Sequence, residues 1–175
     1  MKELYRYGLI LFLICVVSAG ALALINKITK PIIEAQAEEN LKNSLKEIIP
    51  EAVNFKTAGG GSDTTYYKAY GRNNELLGVV LVAQAKGYSS AIETLAGIRR
   101  DGSIIAVRIL SQNETPGLGS RIAQESFTAQ FADKNATALE GVEAITGATI
   151  SSGAVIKAIK QKSQEVLTLL NADEK

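Results

Sequence analysis

The sequence contains no histidine, and its only cysteine is Cys15. Without histidine there can be no Ser-His-Asp or Cys-His catalytic group, and imidazole cannot hold a metal ion or haem. A single cysteine cannot form an intramolecular disulfide. Any chemistry on this chain therefore depends on a cofactor, or needs very little help from side chains.

The sequence also lacks a charge of one dominant sign. Its 19 basic and 18 acidic residues leave a net charge of +1, and the basic residues form no block. Nucleic acid is therefore not an expected partner. The roughly 145 residues that follow the N-terminal apolar run suit one domain with its own core.

The apolar run extends from Tyr7 to Asn26 without a charge, between Arg6 and Lys27. About twenty such residues cross the hydrocarbon core of a bilayer as a helix. The alternative is a secretory signal peptide, because the small residues at 18–23 resemble a cleavage site. The run is longer than the core of a signal peptide, which favours a retained transmembrane helix over 7–26.

The numbers of basic residues on the two sides of this helix are nearly equal, so they do not decide its orientation. Lys2 and Arg6 precede it, and Lys27 and Lys30 follow it. The stub over 1–6 is short, which favours its remaining on the cytoplasmic side of the membrane. We therefore expect the rest of the chain to be extracytoplasmic, at the cell membrane.

A connecting helix and linker are expected over 27–62. Apolar residues at spacings of three and four predict a helix as far as Ile49, with a kink or a restart at Pro31 and an end at Pro50. The glycine-rich stretch at 57–63 predicts a flexible turn or linker.

The remaining chain, 63–175, reads as a mainly antiparallel sheet with packed helices. Turn signals at 71–74 and at Asp101-Gly102 separate runs of β-branched and aromatic residues. The predicted strands are Thr64–Tyr70, Leu76–Ala85, Ala91–Arg99 and Ser103–Ser111. The predicted helices are 122–133 and 151–170. The fold class is therefore α+β, with one N-terminal transmembrane helix.

The most informative stretch is Ile145–Ser152, in which small residues and hydroxyls lie where a loop becomes a helix. The unpaired N–H groups and the positive dipole end of a helix N-terminus favour an anion, commonly phosphate. The Thr149 hydroxyl is placed to hold or bond a phosphate. The alternative is that Ser151 or Ser152 only caps the helix.

Two glycine-containing loops accompany this stretch, at 86–90 and 113–120. Pro116-Gly117 sets a tight turn, and Gly119 permits a positive φ or a close backbone approach. Each loop by itself is equally well explained as an ordinary connection. Together with the hydroxyl-rich helix start, they favour a bound phosphorylated cofactor.

Residues 87–157 resemble the FMN-binding domain of respiratory membrane complexes. Three segments carry the resemblance: Gly87-Tyr88-Ser89, Glu114–Gly119 and Ile145–Ser152. The whole arrangement is similar to the G subunit of the Rnf ion-translocating electron-transport complex. The C subunit of the sodium-pumping NADH:quinone reductase carries the same motif.

The resemblance implies FMN joined by a phosphodiester bond to Thr149, so that the flavin is held through a phosphothreonine linkage. Glu143 stands where the family usually has an aspartate before its attachment motif. The flavin ring is expected along the second glycine loop, with Tyr88 as a wall, while Glu114 bonds the cofactor or braces its own loop. No metal ligand is assigned, and the residues assigned to the cofactor are Tyr88, Glu114, Thr115, Gly117, Leu118, Gly119, Thr146, Gly147, Ala148, Ile150 and Ser151.

The function that the resemblance implies is electron transfer within an ion-pumping ferredoxin:NAD oxidoreductase. The chain alone carries no complete catalytic site, so its expected partners are the other membrane and soluble subunits, and a flavin transferase for maturation. One alternative is the C-type subunit of a sodium-pumping quinone reductase. An alternative of another class is a membrane-tethered binding or assembly domain without flavin.

Overall fold

The computed structural model describes residues 2–59 and 66–173, which fall in two units, Met1–Asn40 and Leu41–Lys175. The first helix, α1 (Lys2–Ile48), continues through Pro31 without interruption. It contains a stretch long and apolar enough to cross a membrane, and none of that stretch is buried within the protein. The restart that the sequence allowed at Pro31 does not occur.

A five-stranded sheet forms the centre of the second unit. All neighbouring strands pair antiparallel, and their order in the sheet is their order in the chain. A meander of this kind needs only short hairpin connections, which agrees with the turn signals in the sequence. The strands are β1 (Asn54–Ala58), β2 (Tyr66–Tyr70), β3 (Leu76–Lys86), β4 (Ala91–Arg99) and β5 (Ile104–Ser111).

The first strand was not expected from the sequence, which predicted only a helix end and a linker there. β1 pairs with β2 from Asn54 opposite Tyr70 to Ala58 opposite Tyr66. Its side chains are exposed or half-buried, so it has no strong apolar alternation to signal a strand. The predicted linker beyond residue 59, and the first two residues of the predicted strand at 64–70, lie outside the described residues. The other predicted strands are confirmed.

One face of the sheet is covered by the last helix, α3 (Thr149–Asp173), which starts two residues before the predicted position. Val155, Ile159 and Val166 are fully buried in a core shared with β3, β4 and β5. These residues recur at helical spacing, so the apolar face predicted from the sequence is confirmed.

The opposite face of the sheet is covered by the end of α1. Leu45, Ile48 and Ile49 are buried against Val80 and Leu95 of the sheet. The residues after Asn40 therefore belong to the globular unit, and the sheet has a helix on each face.

The single helix predicted over 122–133 is wrong. The structure has a 3-10 turn at Gly119–Ala123, a short helix α2 (Glu125–Thr128) and a second 3-10 turn at Ala129–Phe131. Gln124 is extended, with φ −77° and ψ 147°, and so interrupts any continuous helix. This break lets Ile122, Phe127 and Phe131 all reach the core, where the two rings pack edge to face at 5.3 Å.

Candidate functional site

Three loops come together at the start of α3. They are the β3–β4 connection at 87–90, the segment after β5 at 112–118, and the loop at 144–148. A cavity of about 420 Å³ lies between them. Every residue that lines it is one that the sequence analysis assigned to a cofactor: Tyr88, Glu114, Thr115, Leu118, Gly119, Gly147, Ala148, Thr149, Ile150 and Ser151.

Thr149 is the first residue of α3, and its side chain is exposed at the cavity. The preceding residue is Ala148, whose methyl group cannot cap a helix. The N–H groups of Ala148 and Ser152 have backbone acceptors, whereas the described residues offer none to the N–H groups of positions 149–151. This helix start therefore leaves open donors beside the Thr149 hydroxyl.

The two serines that sequence analysis considered as helix caps have other roles. The Ser152 hydroxyl is fully buried, accepts the Ile145 N–H at 3.1 Å and donates to the Ala148 carbonyl at 2.8 Å. Ser151 donates its hydroxyl to Glu114 at 2.6 Å. The capping explanation is therefore wrong, because the helix begins before both serines and each fixes a loop.

The Glu114 side chain, which lies in the second of these loops, joins the first loop to the start of α3. Its residue is 5% exposed, and its Oε1 atom accepts the N–H groups of Ser89 at 3.0 Å and Ser90 at 2.9 Å. The Oε2 atom accepts the Tyr88 N–H at 3.2 Å and the Ser151 hydroxyl. The carboxylate thus ties the 87–90 loop to the first turn of α3.

Two glycines make room for this carboxylate. A Cβ atom added to Gly87 would lie 2.5 Å from Glu114 Oε1, and one added to Gly119 would lie 2.7 Å from Glu114 Oε2. Gly117 differs, because it has a φ of +76° and open space around it. The close approach expected at Gly119 is therefore an approach to Glu114, whereas the positive φ belongs to Gly117.

The environment of Glu114 acts on its pKa in two directions. Burial raises the pKa, whereas the hydrogen bonds from the Ser151 hydroxyl and from the N–H groups of Ser90, Ser89 and Tyr88 lower it. The hydrogen bonds prevail, so the pKa lies below its ordinary value and the group is ionised at neutral pH.

The rim of the cavity is apolar and open. Tyr88, Leu118 and Ile150 are 71%, 51% and 60% exposed, although each could bury a large apolar surface. They converge on one cavity, and Val53 is the one other large apolar side chain with high exposure among the described residues of the second unit. Such an exposed apolar patch indicates a binding surface.

Two of the residues that the sequence assigned to the cofactor do not line this cavity. Gly117 and Thr146 do not line the cavity within the described part of the chain. Thr146 instead accepts a hydrogen bond from the Arg121 guanidinium to its carbonyl at 3.4 Å. Arg121, which was not among the residues predicted for the site, brings an exposed cation to the loop at 144–148. Its only sequence signal was its position two residues after Gly119.

Comparison with known proteins defines the class of this site. Residues 87–164 match the family model of the FMN-binding domain, and residues 1–48 match that of the RnfG N-terminal region. The crystal structure of Shewanella oneidensis NqrC shares the fold, with a TM-score of 0.53 at 19% identity over 70% of this chain and 74% of that one. The globular unit thus contains an FMN-binding domain, matched over residues 87–164.

Full-length relatives identify the family. The chain is 36% identical to the G subunit of the proton-translocating ferredoxin:NAD(+) oxidoreductase complex of Clostridium ljungdahlii, over 88% of this chain and 86% of the relative. It is 31% identical to the G subunit of the Na(+)-translocating ferredoxin:NAD(+) oxidoreductase complex of Acetobacterium woodii, over 93% and 91%. It is 34% identical to the G subunit of the ion-translocating oxidoreductase complex of Methanosarcina acetivorans, over 90% and 92%.

This chain belongs to the family of G subunits of ion-translocating oxidoreductase complexes. With its apolar N-terminal helix it is a membrane-anchored protein that binds FMN and works with other subunits of such a complex. The two family matches favour this assignment over a quinone reductase subunit and over a tethered domain without flavin.

Proposed function

We propose that this chain carries FMN as an electron relay within an ion-translocating ferredoxin:NAD oxidoreductase. The relatives named for that reaction share nearly their whole length with it. The observation that carries the proposal is the cavity at the start of α3, which lies within the FMN-binding match. FMN supplies the redox chemistry when bound, and the protein supplies its position and electrostatic environment.

The cavity fits a phosphorylated cofactor with a flat aromatic ring. The open N–H groups of the first turn of α3 face an anion favourably, and the helix dipole adds to this preference. Leu118, Ile150 and Tyr88 line the cavity and offer apolar contact to a ring. A broad open mouth leaves one edge of the cofactor accessible, which a relay requires because electrons must enter and leave.

The attachment we propose is a phosphodiester between FMN and the Thr149 hydroxyl. Thr149 combines an exposed hydroxyl, a place in the cavity wall and a position beside the open N–H groups. The phosphodiester keeps one negative charge, which the open N–H groups at the start of α3 can stabilise. A covalent bond also prevents loss of the cofactor and reduces the need for tight noncovalent binding.

Intact mass spectrometry of the purified chain, produced with a flavin transferase, tests this attachment. The wild type should gain the mass of one FMN residue, that is FMN less one water, because the ester bond replaces a hydroxyl group of the phosphate. It should also fluoresce after denaturing electrophoresis. Thr149→Ala should lose both signals and keep its fold. Thr146→Ala is the matched control, because Thr146 lies outside the cavity lining and should keep the cofactor. Covalent flavin on Thr149→Ala, or on a peptide with only Thr146, would refute the assignment.

The globular unit is proposed to lie on the extracytoplasmic side of the membrane. The charges that flank the apolar helix are balanced, so they do not decide between the two orientations. A reporter fused after residue 175 decides it. Alkaline phosphatase should be active there and a cytoplasmic fluorescent protein inactive, and the reverse pattern would overturn the orientation.

A further inference from the structure

The Glu114 carboxylate carries a negative charge that its hydrogen bonds to the neighbouring loop and to α3 do not by themselves require. Among the described residues its hydrogen-bond partners are backbone N–H groups and the hydroxyls of Ser90 and Ser151. All of these are neutral. Within the described part of the chain, the charge is therefore solvated by neutral donors, and no cation is hydrogen-bonded to it.

This charge is also in the right place to act on a bound cofactor. Glu114 lines the cavity together with Thr149 and Leu118, and it is 5% exposed. Water screens a buried charge much less than an exposed one. A fixed negative charge in the cavity wall makes the addition of an electron to the cofactor less favourable.

We propose that the Glu114 carboxylate lowers the midpoint potential of FMN bound in this cavity, in addition to holding the loops together. The shape of the side chain serves the fold, and its charge serves the cofactor. Glu114 is thus a tuning residue for electron relay. The proposal rests on FMN occupying this cavity, and it holds with or without the covalent bond to Thr149.

Glu114→Gln separates the charge from the shape. The amide oxygen can accept the N–H groups of Ser89 and Ser90 as Oε1 does, and the amide nitrogen can donate to the Ser151 hydroxyl. Only the Tyr88 N–H loses its acceptor. We therefore expect the variant to fold and to bind FMN, with an upward shift in midpoint potential.

Two further variants complete the comparison. Glu114→Asp keeps the charge on a shorter side chain, so its potential should stay near that of the wild type. Glu125→Gln removes the same unit of charge from an exposed position in α2, and should leave the potential unchanged.

The measurement is a redox titration of the flavin-loaded full-length protein at neutral pH, at low and at high salt. The shift in Glu114→Gln should persist at high salt, because the charge is buried. An unchanged potential in Glu114→Gln, or an equal shift in Glu114→Asp, would overturn the proposal. A Glu114→Gln chain that cannot fold would overturn it too. The proposal assigns the fold to the shape of the side chain, and such a result would assign the fold to its charge. A wild-type protein without flavin would instead refute FMN binding itself.

Discussion

At the scale of single residues, Glu114 makes stability depend on pH. Its folded pKa lies below the ordinary value of 4.5, so the folded state releases this proton more readily than the unfolded state. Its contribution is complete above pH 4.5 and is lost as the pH falls through the folded pKa. Thermal melting of the full-length protein should show a smaller acid-induced loss for Glu114→Gln than for the wild type. Equal losses would contradict this assignment.

The two glycines of the second loop should respond differently to alanine. Gly117→Ala forces a side chain into a φ of +76° with open space around it, and should cost about 1–2 kcal/mol. Gly119→Ala puts a methyl group 2.7 Å from Glu114 Oε2 and 3.0 Å from Ser151 Oγ, with an overpacking cost of about 1–3 kcal/mol. Only Gly119→Ala should also weaken FMN binding. Chemical denaturation and flavin content measure the two effects, and the same flavin loss in both variants would be inconsistent with this distinction.

At the scale of secondary-structure elements, the start of α3 depends on Ser152. Ser152→Ala leaves the Ile145 N–H without its acceptor, and should cost about 1–3 kcal/mol and reduce flavin attachment. Ser163→Ala is the matched control on the same helix. Its hydroxyl is equally buried and also donates to the carbonyl four residues earlier, but it bonds no loop among the described residues. Its stability loss should stay below about 1 kcal/mol. Flavin yield and melting temperature of both variants test whether the loop contact matters.

The same element shows where sequence patterns succeed. The helical spacing of Val155, Ile159 and Val166 is a local pattern, and it predicted both the helix and its buried face. The helix predicted over 122–133 failed because Gln124 is extended, which no local spacing reveals. The prediction missed β1 for a related reason. β1 is a strand because it pairs with β2, whereas its own sequence has no strong alternation of apolar and polar residues.

At the scale of the whole molecule, the globular unit should fold without the membrane-spanning part. A truncated chain that starts at Glu38 keeps Leu41, Leu45 and Ile48, which cover the second face of the sheet. It should be soluble and take up FMN. A chain that starts at Val53 exposes that face and should aggregate. Size-exclusion chromatography with flavin absorbance distinguishes the two, and a well-folded shorter chain would contradict the role given to the end of α1.

The sequence by itself determined the membrane helix, four of the five strands, the final helix and the three motif segments, because each depends on local periodicity or local turn chemistry. Ten of the twelve residues assigned to the cofactor line one cavity, but a linear pattern could not establish that they meet. Only the tertiary structure decided that Glu114 faces Gly87, Gly119 and Ser151, which lie far apart in the chain. The physical reason is that a buried carboxylate must collect donors from whichever segments the fold brings beside it.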